Sequence, residues 1–196
     1  METVIVHGVD DSHAEDERSL VERARSDPAA FGELYRRYLP RIHAFAYRRT
    51  GTVEAAEDIT SAAFERALRS LDRYRWQPGG FGPWLFRITA NELADHYRRT
   101  GRAASPRYRD AEARLVAADP EDPAVLVHDR DAVAEVLAAM SRLTPRYQQA
   151  LALRYLAGLT PAESAAAMGI SRATMAVVVH RATRTLRRVL DEEQGS

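Results

Sequence analysis

Arginine carries the candidate chemistry of this chain. All 28 basic residues of the 196-residue sequence are arginine, and none is lysine. The guanidinium group presents a planar fork of donors that matches phosphate oxygens and the edge of guanine. Four arginines recur near the end of the chain, at Arg181, Arg184, Arg187 and Arg188. Their helical spacing predicts a basic surface that binds nucleic acid.

A second arginine-containing stripe lies near the middle of the chain. Arg87, Asn91 and Arg98 follow one another at steps of four and seven, so they share one face of a helix, with Asp95 beside them. The polar and basic side chains of this stripe are candidate contacts to nucleic acid.

The segment before that stripe, residues 73–83, reads RYRWQPGGFGP. Its glycines and prolines predict a loop. The aromatic residues Tyr74, Trp76 and Phe81 are unusual for a plain connector, which makes the loop a candidate functional element.

The residue types that enzymes need are missing or wrongly spaced. The chain has no cysteine, which excludes disulfides and thiolate metal sites. Its 6 histidines show no metal-ligand spacing. The glycines at 79–82 form too short a run for a phosphate-binding loop and lack the Gly-Lys-Ser that follows in such loops. We therefore expect no enzymatic activity, no metal and no cofactor.

The net charge of zero conceals a segregation along the chain. Residues 31–109 carry 15 arginines and 8 acidic residues, and residues 142–196 carry 8 arginines and 4 acidic residues. Residues 1–30 carry 3 arginines and 8 acidic residues, and residues 110–141 carry 2 arginines and 8 acidic residues. Two basic blocks are thus preceded and separated by acidic segments, which predicts two domains joined by an acidic linker.

Helix signals punctuate the first basic block. Asp27-Pro28 predicts a capped helix start, and the helix runs on to Gly51 with Pro40 expected to kink or split it. Thr52 caps the next predicted helix, which extends to Leu71. A third begins near Pro83 and runs to about Arg99. Asp122-Pro123 is a further candidate helix start beyond this block.

The second basic block contains a helix-turn-helix pattern. Thr160-Pro161 opens a short alanine-rich helix, Gly169 forms the turn, and Ser171 caps a helix that runs to about Leu190. In such motifs the second helix enters the major groove, and its first residues meet base edges. The alternative is a plain helical hairpin without a DNA-binding role.

Taken together, these segments resemble the extracytoplasmic-function sigma factors, the smallest specificity subunits of bacterial RNA polymerase. In the first half the matching segments are FGELYRRYLPRIHAFAYRR, AEDITSAAFERAL and WLFRITANELADHYRR. In the second half they are LTPRYQQALALRYLAGLTPAESAAAMGIS and HRATRTLRRVL. The resemblance covers about residues 20–100 and 130–190.

The resemblance implies that the first domain is similar to sigma region 2. The helix over 52–71 would then dock on the clamp helices of the largest polymerase subunit. The implied polymerase-binding residues are Glu57, Asp58, Ser61 and Phe64.

The part of this domain over 73–99 would melt the promoter and read its −10 element. Exposed aromatic rings stack on unpaired bases for ~1–3 kcal/mol each, and arginines would meet phosphates. The implied residues are Tyr74, Trp76, Phe81, Arg87, Asn91, Arg98 and Arg99.

The second domain would correspond to sigma region 4, which reads the −35 element and also contacts the polymerase flap. The acidic linker between the domains would thread through the polymerase near the RNA exit path. The implied residues of the recognition helix are Ser171, Arg172, Thr174, Val177, Val178, Arg181 and Arg184.

Two positions depart from the family pattern. Ser61-Ala62 stands where the family typically has Gln-Glu, which removes a carboxylate from the implied polymerase surface. Ala176, Val177 and Val178 replace a polar run in the recognition helix. The two valines are compatible with contacts to thymine methyl groups, with weak −35 recognition or with a patch for a partner. A register shifted by one residue would instead place them in the core.

The sequence thus predicts an all-α protein of two small helical domains joined by a flexible acidic linker. The predicted divisions are a disordered acidic leader at 1–19, domains at 20–100 and 129–191, a linker at 101–128 and a tail at 192–196. The implied partners are core RNA polymerase, promoter DNA and an anti-sigma factor, without a small-molecule substrate. The alternative is a sigma-like regulator that acts mainly through partner binding.

The expected location is the cytoplasm, with the nucleoid as the place of action when polymerase is bound. No stretch approaches the ~18 consecutive apolar residues of a membrane span, so we expect no membrane insertion. The acidic N-terminal segment does not read as a secretory signal.

Overall fold

The protein is described by a computed structural model over residues 8–77, 79–100 and 135–194. Within these ranges the chain consists of helices and short connections, without a β-strand. The prediction of an all-α fold is therefore confirmed. None of the helices described there is both long and apolar enough to span a membrane. The predicted linker and the candidate helix start at Asp122-Pro123 lie outside the described residues.

The described part of the first domain is built from four α-helices. They are α1 (Gly8–Arg23), α2 (Pro28–Thr50), α3 (Val53–Ser70) and α4 (Phe81–Thr100). A 3₁₀ turn over Leu71–Arg73 follows α3 and leads into the loop before α4.

Local capping explains where α2 and α3 begin. The Asp27 carboxylate accepts a hydrogen bond from the Ala29 amide at 2.8 Å, which satisfies a free donor at the start of α2. The Thr52 hydroxyl does the same for Ala55 at 3.4 Å. Gly51, between them, has a φ of +73° and ends α2 in the left-handed conformation. These starts are where the sequence predicted them.

The prediction of a disordered leader over 1–19 is wrong from Gly8 onward, because α1 begins there. Leu20 and Val21 on this helix are each 1% exposed and belong to the apolar core. Burial of two such side chains contributes about 3–6 kcal/mol, enough to hold an acidic helix against the domain.

Two other expectations about helix bounds need correction. Pro40 does not split α2, which is continuous from Pro28 to Thr50. Pro40 and Arg36, four residues before it, are both exposed, so this turn of the helix lies at the surface. Helix α4 begins at Phe81, before the predicted start near Pro83.

Aromatic rings fill the core of the first domain. Phe45 on α2 and Phe86 on α4 are fully buried, and their ring centroids lie 5.4 Å apart in an edge-to-face arrangement. Leu34 and Ile42 of α2 belong to the same apolar cluster and are each 0% exposed. The core therefore fixes α4 against α2, and with it the polar stripe of α4.

Where it is described, the second domain consists of three short helices followed by one long helix. In the described part these are residues 135–141 (α5), Pro145–Leu151 (α6), Pro161–Met168 (α7) and Arg172–Gln194 (α8). A π-helical turn over Ala152–Leu156 follows α6 directly.

Helices α7 and α8 form the predicted helix-turn-helix. Thr160 and Glu163 make a reciprocal capping box at the start of α7, with bonds of 2.8 and 3.2 Å. Gly169 ends this helix with a φ of +66°. The Ser171 hydroxyl then accepts from the Thr174 amide at 3.1 Å and caps α8.

The two domains pack against each other, with α7 beside α4. Leu153, Leu159 and Ala167 are buried in the same apolar cluster as the core of the first domain. A guanidinium nitrogen of Arg48 donates to the Leu156 carbonyl oxygen at 2.7 Å. Helix α7 of the helix-turn-helix therefore packs against α4, the helix that carries the polar stripe.

Candidate nucleic-acid and polymerase interface

The start of α8 presents a polar and basic face to solvent. Ser171, Arg172, Thr174, Arg181 and Arg184 are all exposed, as the sequence predicted. None of these three arginines makes an ion pair with another side chain in the described part of the chain. Their charge is therefore available to an external anion such as a phosphate group.

The two valines of α8 separate into one exposed and one buried residue. Val177 is 49% exposed on the polar face. Val178 is 6% exposed and packs with Met175, Ala165 and Ala150. The prediction that Val178 faces DNA is therefore wrong, because the contact with α6 and α7 takes this side chain into the core.

The loop before α4 is aromatic, but its rings point inward. Tyr74 is 4% exposed, and its ring centroid lies 4.8 Å from that of Trp84 and 5.9 Å from that of Phe81. Phe81 is 0% exposed. The expectation that both rings are exposed for base stacking is wrong, because they complete the core beneath the loop. Trp76 is half-buried and is the loop's aromatic side chain with partial access to solvent.

Burial also determines the chemistry of Tyr74. Removal from water raises the pKa of its hydroxyl to about 12, so it stays protonated at neutral pH. The hydroxyl donates to the Gly80 carbonyl oxygen at 3.0 Å, which closes the loop on itself. Tyr74 is thus a structural residue of the loop in this conformation.

The predicted stripe on α4 is present. Asn91, Arg98 and Arg99 are exposed, and Arg87 is half-buried. Arg98 forms an ion pair with Asp95 one turn earlier. Asn91 and Arg98 line one wall of a cleft of about 600 Å³ between the domains. The stripe therefore faces a space that is shared with the second domain.

The residues of α3 that the resemblance assigns to polymerase binding are exposed, with one exception. Glu57, Asp58 and Ser61 are exposed. Phe64 is 4% exposed, and its ring centroid lies 4.6 Å from that of Tyr35 on α2. Phe64 is therefore buried beneath Tyr35 and is not exposed with the three polar residues.

An ion pair between α3 and α4 could not be predicted from the sequence. The Glu92 carboxylate is buried on α4, and the Nε atom of Arg66 on α3 lies 2.6 Å from its Oε1. A carboxylate and an arginine on different helices leave no periodic signal in the sequence. The pair joins the acidic helix to the helix that carries the polar stripe.

Glu17 on α1 and Arg25 just after it hold the loop before α4. A guanidinium nitrogen of Arg25 donates to the Tyr74 carbonyl oxygen at 2.9 Å, and the Phe81 amide donates to Glu17 at 3.2 Å. No local sequence signal marks either residue, because their partners lie 49 and 64 residues away in the chain.

No cluster of three or more histidine or acidic side chains suited to a metal ion occurs within the described ranges. The geometry instead defines a class: a two-domain helical protein with a helix-turn-helix, an arginine-rich recognition helix and an exposed acidic helix surface.

Comparison with known proteins gives the family. Residues 34–103 match the model described as Sigma-70 region 2, and residues 134–186 match the one described as Sigma-70, region 4. The chain is 34% identical over 167 residues to the RNA polymerase sigma factor CarQ of Myxococcus xanthus, covering 83% of this chain and 90% of CarQ. It is 37% identical over 182 residues to the ECF RNA polymerase sigma factor BldN of Streptomyces coelicolor. The chain belongs to the extracytoplasmic-function sigma factors of the sigma-70 family.

The BldN match covers 89% of this chain and 66% of BldN, so the chain spans just under two thirds of that relative's length. Among solved structures, that of CnrH in complex with the cytosolic domain of CnrY has the same fold, with a TM-score of 0.62 and 22% identity. That alignment covers 90% of this chain and 97% of the CnrH chain.

Proposed function

We propose that this chain binds core RNA polymerase, directs it to specific promoters and helps to open the DNA for initiation. The observation that carries the proposal is the capped recognition helix α8, whose first turns expose arginine and hydroxyl side chains without internal ion pairs. Membership of the sigma factor family supports the same function.

The polymerase-binding surface is assigned to the exposed face of α3, through Glu57, Asp58 and Ser61. This face is acidic and suits a basic or polar partner surface. Phe64 and Tyr35 support it from beneath through their ring contact. The first domain would thus dock on the largest polymerase subunit, while α8 is left free for DNA and the flap.

The promoter contacts are divided between the domains. In α8 the −35 contacts are assigned to the residues exposed on its polar face, with the Val177 methyl groups suited to thymine. These residues are Ser171, Arg172, Thr174, Val177, Arg181 and Arg184.

In the first domain, the −10 contacts are assigned to the stripe on α4 and to Trp76 in the loop before it. Trp76 has the partial exposure that base stacking needs, while Tyr74 and Phe81 hold the loop. The residues of the stripe are Arg87, Asn91, Arg98 and Arg99.

An anti-sigma factor is proposed as a further partner. The CnrH structure contains the cytosolic domain of a second protein, CnrY. A protein of the same fold with a bound partner domain supports a comparable interaction for this chain.

The test is run-off transcription with purified core polymerase on a pool of genomic promoters. We expect specific start sites that core polymerase alone does not produce. No start sites above those of core polymerase would contradict the proposal and would favour a regulator that acts through partner binding.

Substitution of Asp58 locates the polymerase-binding surface. Asp58→Ala is expected to reduce co-purification with core polymerase, because it removes an exposed carboxylate from α3. Glu33→Ala, which removes an exposed carboxylate from α2, is the matched control. If core polymerase retains both variants equally, the exposed face of α3 is not the polymerase-binding surface.

A further inference from the structure

The loop over 74–80 is held at both ends by residues of the N-terminal segment. Arg25 donates to the carbonyl oxygen of Tyr74, where the loop begins, at 2.9 Å. Glu17 accepts from the amide of Phe81, where the loop ends, at 3.2 Å. Neither residue lies within the part of the chain that matches sigma region 2, which begins at residue 34. The loop that precedes α4 is therefore fixed by α1 and the turn that follows it, to which the proposed function assigns no role.

Glu17 supplies what the local sequence of α4 lacks. A helix begins with free amide donors, which serine, threonine, aspartate or asparagine just before it usually satisfies. The residue before Phe81 is Gly80, which has no side chain to offer. The carboxylate of Glu17, which lies on α1, accepts the hydrogen bond from Phe81 instead. Its negative charge also suits the positive end of the α4 dipole.

The surroundings of Glu17 are shaped to hold this carboxylate. Its second oxygen accepts a hydrogen bond from the Tyr38 hydroxyl of α2. Burial and the charge of Glu17 raise the pKa of Tyr38, so the hydroxyl keeps the proton that it donates. The Tyr38 ring in turn lies 5.5 Å from that of Phe81. Glu17 thus connects α1, α2 and the start of α4.

Gly80 shows how closely the loop approaches the carboxylate. A Cβ atom at this position would lie 2.4 Å from a carboxylate oxygen of Glu17. The φ of Gly80 is +81°, a conformation that side chains disfavour. The backbone therefore runs close against Glu17, in a conformation that residues other than glycine rarely adopt.

We propose that Glu17 is a positioning residue for promoter opening: it caps α4 from a distance and holds the 74–80 loop in the conformation that presents Trp76 to unpaired DNA. The proposal rests on the proposed function of that loop. Glu17 itself touches no DNA in this scheme and acts through the backbone of Phe81. Its loss is expected to impair opening of the duplex more than any step that follows opening.

The experiment compares Glu17→Ala, Glu17→Gln and Asp16→Ala in the full chain with core polymerase. Asp16 is the neighbouring exposed carboxylate, paired at 3.5 Å with Arg37 on the surface, and is the matched control. Opening of a duplex promoter is followed by the fluorescence of a base analogue in the melted region. A parallel template carries the same promoter already unpaired.

We expect Glu17→Ala to slow opening of the duplex about tenfold, as loss of a helix cap would. Transcription from the unpaired template and co-purification with core polymerase should stay within about twofold of the unmodified chain. Glu17→Gln should restore part of the opening rate, because its amide oxygen still accepts a hydrogen bond. Asp16→Ala should open the duplex normally.

Two results would overturn the proposal. One is normal opening by Glu17→Ala. The other is an equal loss on both templates together with lost polymerase binding, which would indicate a role in folding alone.

A measurement on the free chain separates this proposal from the proposed function. Without polymerase or DNA, hydrogen exchange at the Phe81 amide should become about tenfold faster in Glu17→Ala and stay unchanged in Asp16→Ala. Unchanged exchange in Glu17→Ala would overturn the positioning role, whether or not the chain directs transcription. Faster exchange in Glu17→Ala, together with no promoter opening by the unmodified chain, would support the role of Glu17 as a cap and refute the proposed role in promoter opening.

Discussion

The contrast between Val177 and Val178 gives a sharp test of how α8 is used. The two neighbours are identical in type and lie within the same helix, but Val177 is 49% exposed and Val178 is 6% exposed. Substitution by alanine removes two carbon atoms at either site and improves helix propensity equally at both. The propensity gain therefore cancels in the comparison, and burial alone distinguishes the two variants.

The expected magnitudes follow from this burial. At about 0.8 kcal/mol for each buried carbon, Val178→Ala loses about 1.5 kcal/mol and leaves a cavity that costs more. Val177→Ala loses only about half of that 1.5 kcal/mol of burial energy, because its side chain is about half exposed. It also leaves no cavity, since the side chain borders water. Val178→Ala should therefore lower the free energy of unfolding by about 1–2 kcal/mol more than Val177→Ala does.

Urea unfolding of the full chain, followed by circular dichroism, measures this difference. Promoter binding should show the opposite order. Val177→Ala should reduce the preference of the polymerase complex for thymine at one upstream position, and Val178→Ala should leave base preference unchanged. Equal destabilisation by the two variants, or altered base preference in Val178→Ala alone, would refute the assigned face of α8.

Three further predictions concern the first domain. Arg66→Ala should destabilise the chain by about 1–3 kcal/mol in urea unfolding, because it leaves the buried Glu92 carboxylate without its partner. Arg69→Ala, which breaks an exposed ion pair, should cost less than about 0.5 kcal/mol, and equal losses in the two variants would contradict the prediction. Because burial raises the pKa of Tyr74 to about 12, its neutral form stabilises the fold fully below pH 10, and this contribution is lost as the pH rises from about 10 to 12. Absorbance titration should show a tyrosinate step near pH 12 that disappears in Tyr74→Phe. Loss of a step near pH 10 in Tyr74→Phe would instead show that the ring is not buried. Gly80→Ala should lower the midpoint of thermal unfolding, since both its φ of +81° and the nearby carboxylate oppose a side chain, and an unchanged midpoint would show that the loop adapts.

Helix starts were predictable because their signals are local. Asp27, Thr52, Thr160 and Ser171 each cap a helix through a bond to an amide two or three residues later. Such bonds depend only on residue type and spacing, so the sequence contains all the information they need.

The face of a residue is harder to predict than the helix that contains it. Successive helical residues differ by about 100° in direction, so an uncertainty of one position exchanges a buried for an exposed side chain. For Val177 and Val178 the outcome depends on contacts of α8 with Ala150 and Ala165, which lie on other helices. Tyr74 and Phe81 show the same limit, since an aromatic residue beside glycine and proline suits a core as well as a stacking platform.

The cap of α4 marks the boundary between local and distant information. The sequence does contain a negative signal here, because Gly80 precedes the helix where a capping side chain would be expected. This absence implies that a donor such as the Phe81 amide must find an acceptor elsewhere. It does not reveal which of the 28 acidic residues provides that acceptor. Only the packing of α1 against α2 and α4 selects Glu17, because it brings together groups that lie 64 residues apart in the chain.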